Sequence, residues 1–161
     1  MYKRQIETIR NFGKSYRDAK LVHRLDKDTS GCQVIAKNNK FLRNCNKLIS
    51  ERKVKKTYQA IVHGNWIHKD GIYEINIEKN MLIGKERMVR ISDGGKIAKT
   101  FFKVIESSKH FSLIQCELIT GRTHQLRVHL AELGFPIVGD KKYGIKENKL
   151  PTSSGHKKRM Y

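Results

Sequence analysis

Apolar and polar positions along the middle of the chain separate strands from helices. Between Ile72 and Glu78, Tyr73, Ile75 and Ile77 alternate with Glu74, Asn76 and Glu78, which is the period of a strand with one buried face. Lys56 to His63, closed by Gly64, and Phe111 to Ile119 read as two further strands. Arg87 to Ile91 and Ile97 to Glu106 flank Ser92-Asp93-Gly94-Gly95, which predicts a hairpin turn. A shorter buried strand is expected over Gln33 to Lys37, after a Thr29-Ser30-Gly31 turn. Phe41, Leu42, Cys45, Leu48 and Ile49 recur at helical spacing, so residues 40–52 predict an amphipathic helix. Leu126, Leu130 and Leu133 predict another, capped by Thr123 and ended by Gly134 and Pro136. Residues 5–12 suit a short third helix. Strands outnumber helices, so the expected class is α+β, with a mixed, mainly antiparallel sheet and flanking helices.

Composition narrows this picture. The 161 residues suit one domain, and two prolines with twelve glycines leave no obvious linker. No internal repeat is present. No apolar run approaches the ~18 residues of a membrane span. The charged first twenty residues do not resemble an export signal. Cys32, Cys45 and Cys116 are odd in number and widely spaced, which argues against a disulfide framework or a zinc site. Each lies in an apolar context and is expected to be a small buried thiol in a reducing, cytoplasmic protein.

Charge changes the picture most. Thirty-four Lys and Arg face fifteen Asp and Glu, a net charge of +19. Such an excess on a small domain points to a polyanionic partner, in the first place a nucleic acid. The alternative is a compositional bias toward Lys at neutral surface positions.

Three patches carry candidate chemistry. His23-Arg24-Leu25-Asp26-Lys27-Asp28-Thr29-Ser30-Gly31 gathers a base, a carboxylate and two hydroxyls in one loop. It reads either as a reactive loop or as a structural turn built by Asp, Ser, Thr and Gly. Gly121-Arg122-Thr123-His124-Gln125-Leu126-Arg127-Val128-His129 crowds two Arg and two His into eight positions. On a helix these would favour a phosphate, or would simply form an exposed basic face. The five-residue interval between the two His is wrong for two metal ligands on one helix face. Lys55-Lys56-Thr57-Tyr58-Gln59-Ala60 places a tyrosine among lysines, either as half-buried core or as a surface on which a base stacks.

In this order and spacing the three patches resemble the RluA family of RNA pseudouridine synthases. The first is similar to its His-Arg-Leu-Asp-x-x-Thr-Ser-Gly signature and the third to its tyrosine motif. The second, continued through Gly134-Phe135-Pro136-Ile137-Val138-Gly139-Asp140 and Tyr143-Gly144, is similar to its Gly-Arg-Thr-His-Gln-Leu-Arg-Val-His block. The likeness runs from about Leu21 to Gly144. Lys85 to Arg90 and the Lys103-Val104 strand are most similar to the C-type branch acting on large-subunit ribosomal RNA.

The resemblance implies isomerisation of specific uridines to pseudouridine, with no cofactor and no metal. It implies that Asp26 is the catalytic aspartate, Arg127 its ion-pair partner and Tyr58 the residue covering the uracil. It places Arg24 in the gap left by a flipped nucleotide. It puts His23, Arg122, His124 and Gln125 against RNA, and gives Thr29, Ser30 and Gly31 the support of the catalytic loop. Ile137 is expected near the base. Large-subunit ribosomal RNA is the implied partner, with transfer RNA as the alternative target, and a monomer is expected.

The chain also departs from the family pattern. Only twenty-two residues precede His23, without the usual Asn-Lys-Pro element or an S4 domain, and the sequence stops at Tyr161. An incomplete catalytic domain with unpaired sheet edges is therefore expected. Two rival readings are an inactive remnant that still binds RNA and a small basic binding protein with no active site.

Overall fold

The computed structural model describes residues 11, 18–26, 28–83 and 86–145. The expected helix over 5–12 and the basic stretch after Ile145 lie outside the described residues, Asn11 apart. The chain divides into two compact units, with the boundary between Lys56 and Thr57.

The first unit contains β1 (Lys20–Leu21), β2 (Ile35–Ala36) and α1 (Asn39–Ser50). β1 and β2 form a two-residue antiparallel ribbon. The strand expected over Gln33 to Lys37 is thus shorter than its sequence suggests: Ala36 is buried but Val34 is exposed. α1 begins where the Asn38 side chain accepts the Phe41 N–H at 2.8 Å, satisfying one of the donors that a helix start leaves open. It ends in a Schellman motif. Arg52 takes a left-handed φ of 58°, and the Lys53 and Arg52 amides donate to the Leu48 and Ile49 carbonyls. The apolar stripe is present, but no residue of α1 is fully buried, and Phe41 and Leu48 are exposed.

The second unit is a five-stranded sheet and one helix. Its strands are β3 (Thr57–His63), β4 (Gly71–Ile83), β5 (Glu86–Ile91), β6 (Lys96–Ser107) and β7 (Phe111–Leu118); α2 spans Gln125–Glu132. The spatial order is β3-β7-β6-β4-β5. Every ladder among the described residues is antiparallel, in keeping with the mainly antiparallel sheet expected from sequence.

The order also corrects the expected hairpin at Ser92–Gly95. β5 pairs with the second half of β4, Ile77 to Ile83, and β6 with the first half, Gly71 to Ile77. The Ser92–Gly95 turn carries the chain across β4 instead of folding β5 onto β6. It is closed by the Gly95 amide donating to the Ser92 carbonyl at 2.8 Å. Gly95 lies against the Ile77 backbone, and a Cβ there would stand 2.7 Å from the Ile77 carbonyl carbon. Only glycine fits this crossing.

The inner face of the sheet carries the core. Val62, Trp66, Phe102, Ile114, Cys116, Leu130 and Phe135 form one cluster. Its aromatic centre sets Trp66 against Phe135 at 4.9 Å and against Phe102 at 5.7 Å, in the tilted geometry that ring quadrupoles favour. Ile77, Val89, Ala98 and Val128 form a second cluster. Leu130 of α2 is fully buried, with Leu126 and Leu133 packed beside it, as the helical period requires. Each fully buried apolar side chain contributes about 1.5–3 kcal/mol. α2 stops at Gly134, whose φ is +85°, while the Phe135 amide donates to the Leu130 carbonyl at 2.9 Å. The outer edge of β3 is partly covered, because Pro136 and Val138 exchange backbone bonds with His63 and Ile61.

Candidate active site

In the first unit, one loop between β1 and β2 holds His23, Arg24, Asp26, Thr29, Ser30 and Gly31. His23 fixes the loop's base. Its Nε2 accepts the Val34 N–H at 3.1 Å, and its carbonyl accepts from Gln33 Nε2 at 2.9 Å. Asp26 is half-buried and Arg24 exposed. The Asp26 carbonyl accepts the Thr29 N–H at 3.1 Å, which makes the turn that the Asp and Thr residues predicted. Gly31 has a φ of +136°, a conformation open to glycine and strained for other residues. Cys32, expected to be buried, is exposed at the end of this loop; Cys45 is half-buried and Cys116 buried. Burial pushes the Cys116 thiol up to about 12, so it stays protonated and inert.

In the second unit, Tyr58 lies on β3 opposite Cys116 of β7 and packs against the larger core cluster. The remaining candidates stand on α2 and the turn before it. Arg127 forms a two-pronged ion pair with Asp140, Nε to Oδ2 at 2.7 Å and Nη2 to Oδ1 at 2.8 Å. Asp140 Oδ1 also accepts the Lys142 and Tyr143 amides at 2.9 and 3.1 Å. Burial alone would raise the Asp140 carboxyl. The Arg127 hydrogen bonds, the two backbone bonds and the Arg127 charge outweigh it and hold the carboxyl at about 2. The Arg127 guanidinium lies 5.0 Å above the Tyr143 ring, and the Tyr143 hydroxyl stands 2.8 Å from His124 Nδ1. The same hydroxyl accepts the Val89 N–H at 3.0 Å. Helix, following turn and strand β5 are thereby tied around one cation.

The sequence reading missed Asp140 and Tyr143 as members of this cluster. Both belong to the long motif, but the only local signal for their place is Gly139, whose φ of +77° turns the chain back toward α2. Thr123, expected to cap α2, does not. His124 occupies the cap with a left-handed φ of 53° and no side-chain cap bond. Gln125, the first residue of the helix, instead fixes the turn before it. Its Oε1 accepts the Arg122 amide and the Thr120 hydroxyl, both at 2.9 Å. Its Nε2 donates to the Lys99 carbonyl and to Thr100 Oγ1. Gln125 is buried with all its hydrogen-bonding capacity used inside the fold.

Arg122 points the other way. Its Nε donates to the Ile97 carbonyl at 3.1 Å, and the side chain lines a cleft of about 410 Å³ with Ile77, Glu78, Gly94, Gly95, Lys96, Gly121 and Thr123.

The sequence patches and this architecture match known proteins. Residues 2–132 match the family model described as RNA pseudouridylate synthase. The chain belongs to that family. It is 40% identical over 141 residues to ribosomal large subunit pseudouridine synthase C of Pasteurella multocida, covering 88% of this chain and 43% of that protein. It is 41% identical over 142 residues to the Escherichia coli K12 protein of the same name, covering 88% and 44%. Among solved structures, human RNA pseudouridylate synthase domain containing 1 superposes with a TM-score of 0.76 at 28% identity, covering 86% of this chain and 60% of that one. Human RNA pseudouridylate synthase domain containing 4 gives 0.66 at 34% identity, covering 78% and 51%. The chain spans less than half the length of these curated bacterial relatives.

Proposed function

We propose that this pseudouridine synthase-family chain isomerises uridines of large-subunit ribosomal RNA to pseudouridine, in the cytoplasm and with Asp26 as the catalytic carboxylate. The likeness to the C-type bacterial enzymes over 88% of the chain carries this reading. In the reaction the bond between uracil N1 and ribose C1′ breaks, the uracil turns, and C5 bonds to C1′. C5 loses a proton and N1 gains one, so the atoms balance without an oxidant or reductant. A carboxylate serves such glycosyl chemistry by attacking or stabilising the electron-poor sugar carbon, or by taking its proton. Tyr58 covers the ring, Arg127 is the cationic partner of the site, and Arg24 fills the stack vacated by the flipped nucleotide. Thr29, Ser30 and Gly31 hold the loop, with Ile137 near the base. The excess of 34 basic over 15 acidic residues supports a polyanionic substrate.

The test is tritium release from unmodified large-subunit RNA labelled at uracil C5. The wild-type chain should release tritium, and Asp26→Asn should release none while still binding RNA. Equal release from both proteins would remove Asp26 from its role. A folded wild-type chain that binds RNA but releases nothing would be a binding protein, and transfer RNA labelled in the same way distinguishes the other target.

A further inference from the structure

The cleft beside Arg122 has no part in the chemistry above, yet it is lined for an anion. It is lined by Ile77 and Glu78 of β4, by Gly94 and Gly95 of the turn that crosses β4, and by the Gly121-Arg122-Thr123 segment before α2. Arg122 is anchored through Nε to the Ile97 carbonyl at 3.1 Å, which leaves its two terminal nitrogens as a fixed fork. A guanidinium fork pairs two-pronged with phosphate oxygens. Lys96 is exposed and lines the same space, and its ammonium has no ion-pair or hydrogen-bond partner among the described residues. The exposed Thr123 hydroxyl is likewise available.

The one acid in the wall, Glu78, is already matched. Arg90 donates to its Oε2 from Nε and Nη2 at 3.2 and 3.0 Å. Those bonds, with one from Ser92, hold the Glu78 carboxyl below its ordinary range. With Glu78 offset by Arg90, Lys96 and Arg122 leave the cleft net positive. Gly94 and Gly121 add no side chain to its lining, so a backbone phosphate can approach the main chain. The volume of about 410 Å³ admits a nucleotide-sized group.

We infer that Arg122, Lys96 and Thr123 form a subsite for one backbone phosphodiester of the RNA strand. The inference rests on the reading of the chain as an RNA-modifying enzyme and assigns part of the strand's path. Phosphate contacts fix the register of a strand without reading its bases, so the subsite positions RNA and does not select the uridine.

Two measurements test it on the full chain. In the first, a fluorescently labelled single-stranded RNA oligonucleotide is titrated by anisotropy between about 50 and 200 mM NaCl. Lys96→Gln and Arg122→Gln should each weaken binding about 3–10-fold and lower the salt slope by about 0.7–1. Lys109→Gln, on the exposed β6–β7 turn, should leave the slope unchanged. Lys96 has no partner to lose, so its variant keeps the test valid even if Arg122→Gln misfolds. In the second, inorganic phosphate should shift the Gly94, Gly121 and Thr123 amide resonances saturably, and uridine should not. A wild-type slope in both cleft variants, or an equal loss in Lys109→Gln, overturns the subsite. Tritium release separates the two readings. Turnover with unaltered binding by the cleft variants sinks the subsite alone. Absent turnover with a reduced slope sinks the enzymatic reading alone.

Discussion

His129 is fully buried, with Nδ1 3.2 Å from Thr100 Oγ1 and no hydrogen-bond partner for Nε2. Its ring meets Phe102 edge-on at 5.2 Å. Burial lowers its pKa to about 4, against about 6.5 in the unfolded chain. Between those values the unfolded state binds the extra proton. Stability is therefore full above pH ~6.5 and falls as the pH drops toward 4, by about 2–3 kcal/mol. His129→Phe keeps the ring volume, removes the orphaned nitrogen and abolishes this acid limb. Urea unfolding at pH 7 and pH 4.5 checks it: the wild type should lose stability between the two and the variant much less. An equal loss in both would place the acid sensitivity elsewhere. Asp140 titrates in a separate window. Its carboxyl is held at about 2, so its contribution is present above pH ~4 and disappears as the pH falls toward 2. Asp140→Asn leaves the Arg127 guanidinium without its two-pronged partner. At pH 7 the change should cost about 2–3 kcal/mol, toward the low end for a broken buried pair because Arg127 is partly exposed. The expected loss in melting temperature is about 5–10 °C, and an unchanged melting curve would show the pair to be dispensable.

At the scale of elements, the crossing of β5 to β6 over β4 has a sharp requirement. Gly95→Ala would set a Cβ 2.7 Å from Ile77 backbone and 2.8 Å from the Ser92 carbonyl oxygen, and neither is a flexible side-chain end. The turn must shift, at a cost of about 1–3 kcal/mol or more. Gly94→Ala, with nothing within 4 Å, should be nearly neutral, and the difference between the two in chemical denaturation measures the crossing. This element also marks what the sequence could reveal. The alternation of Tyr73, Ile75 and Ile77 found β4, and the leucine period found α2, because each pattern records which side chains face the core. A Ser-Asp-Gly-Gly turn looks the same whether the next strand folds back or crosses a third one. The partner of β6 is set by nonlocal pairing, which a local signal does not contain. Thr123 does not cap α2, because His124 holds the cap position in a left-handed conformation that the local sequence pattern does not announce. The loop holding Asp26 was legible because its motif is contiguous. Asp140 was not, because it meets Arg127 only after the chain leaves α2 and turns at Gly139.

For the molecule as a whole, the net charge of +19 gives salt two opposite effects. Sixteen of the basic residues and five of the acidic ones lie before Thr57, so repulsion is concentrated in the smaller unit. Salt screens that repulsion, with a Debye length of about 10 Å at 0.1 M. The free chain should therefore melt at a higher temperature as NaCl rises from about 20 to 200 mM. Under the proposed function, binding to RNA should respond in the opposite direction. If about five phosphates are neutralised on a single strand, the slope of about −0.7 per phosphate predicts roughly 100-fold weaker binding for a fourfold rise in salt. RNA at about 100 times its Kd stabilises the folded chain by about 2.7 kcal/mol, and that increment should vanish over the same interval. Melting curves with and without an RNA oligonucleotide should consequently converge as salt rises, the free curve climbing and the bound curve falling toward it. A free chain that melts lower in salt would show that repulsion does not limit its stability. An RNA increment that survives salt would show that the strand is held by something other than the basic surface.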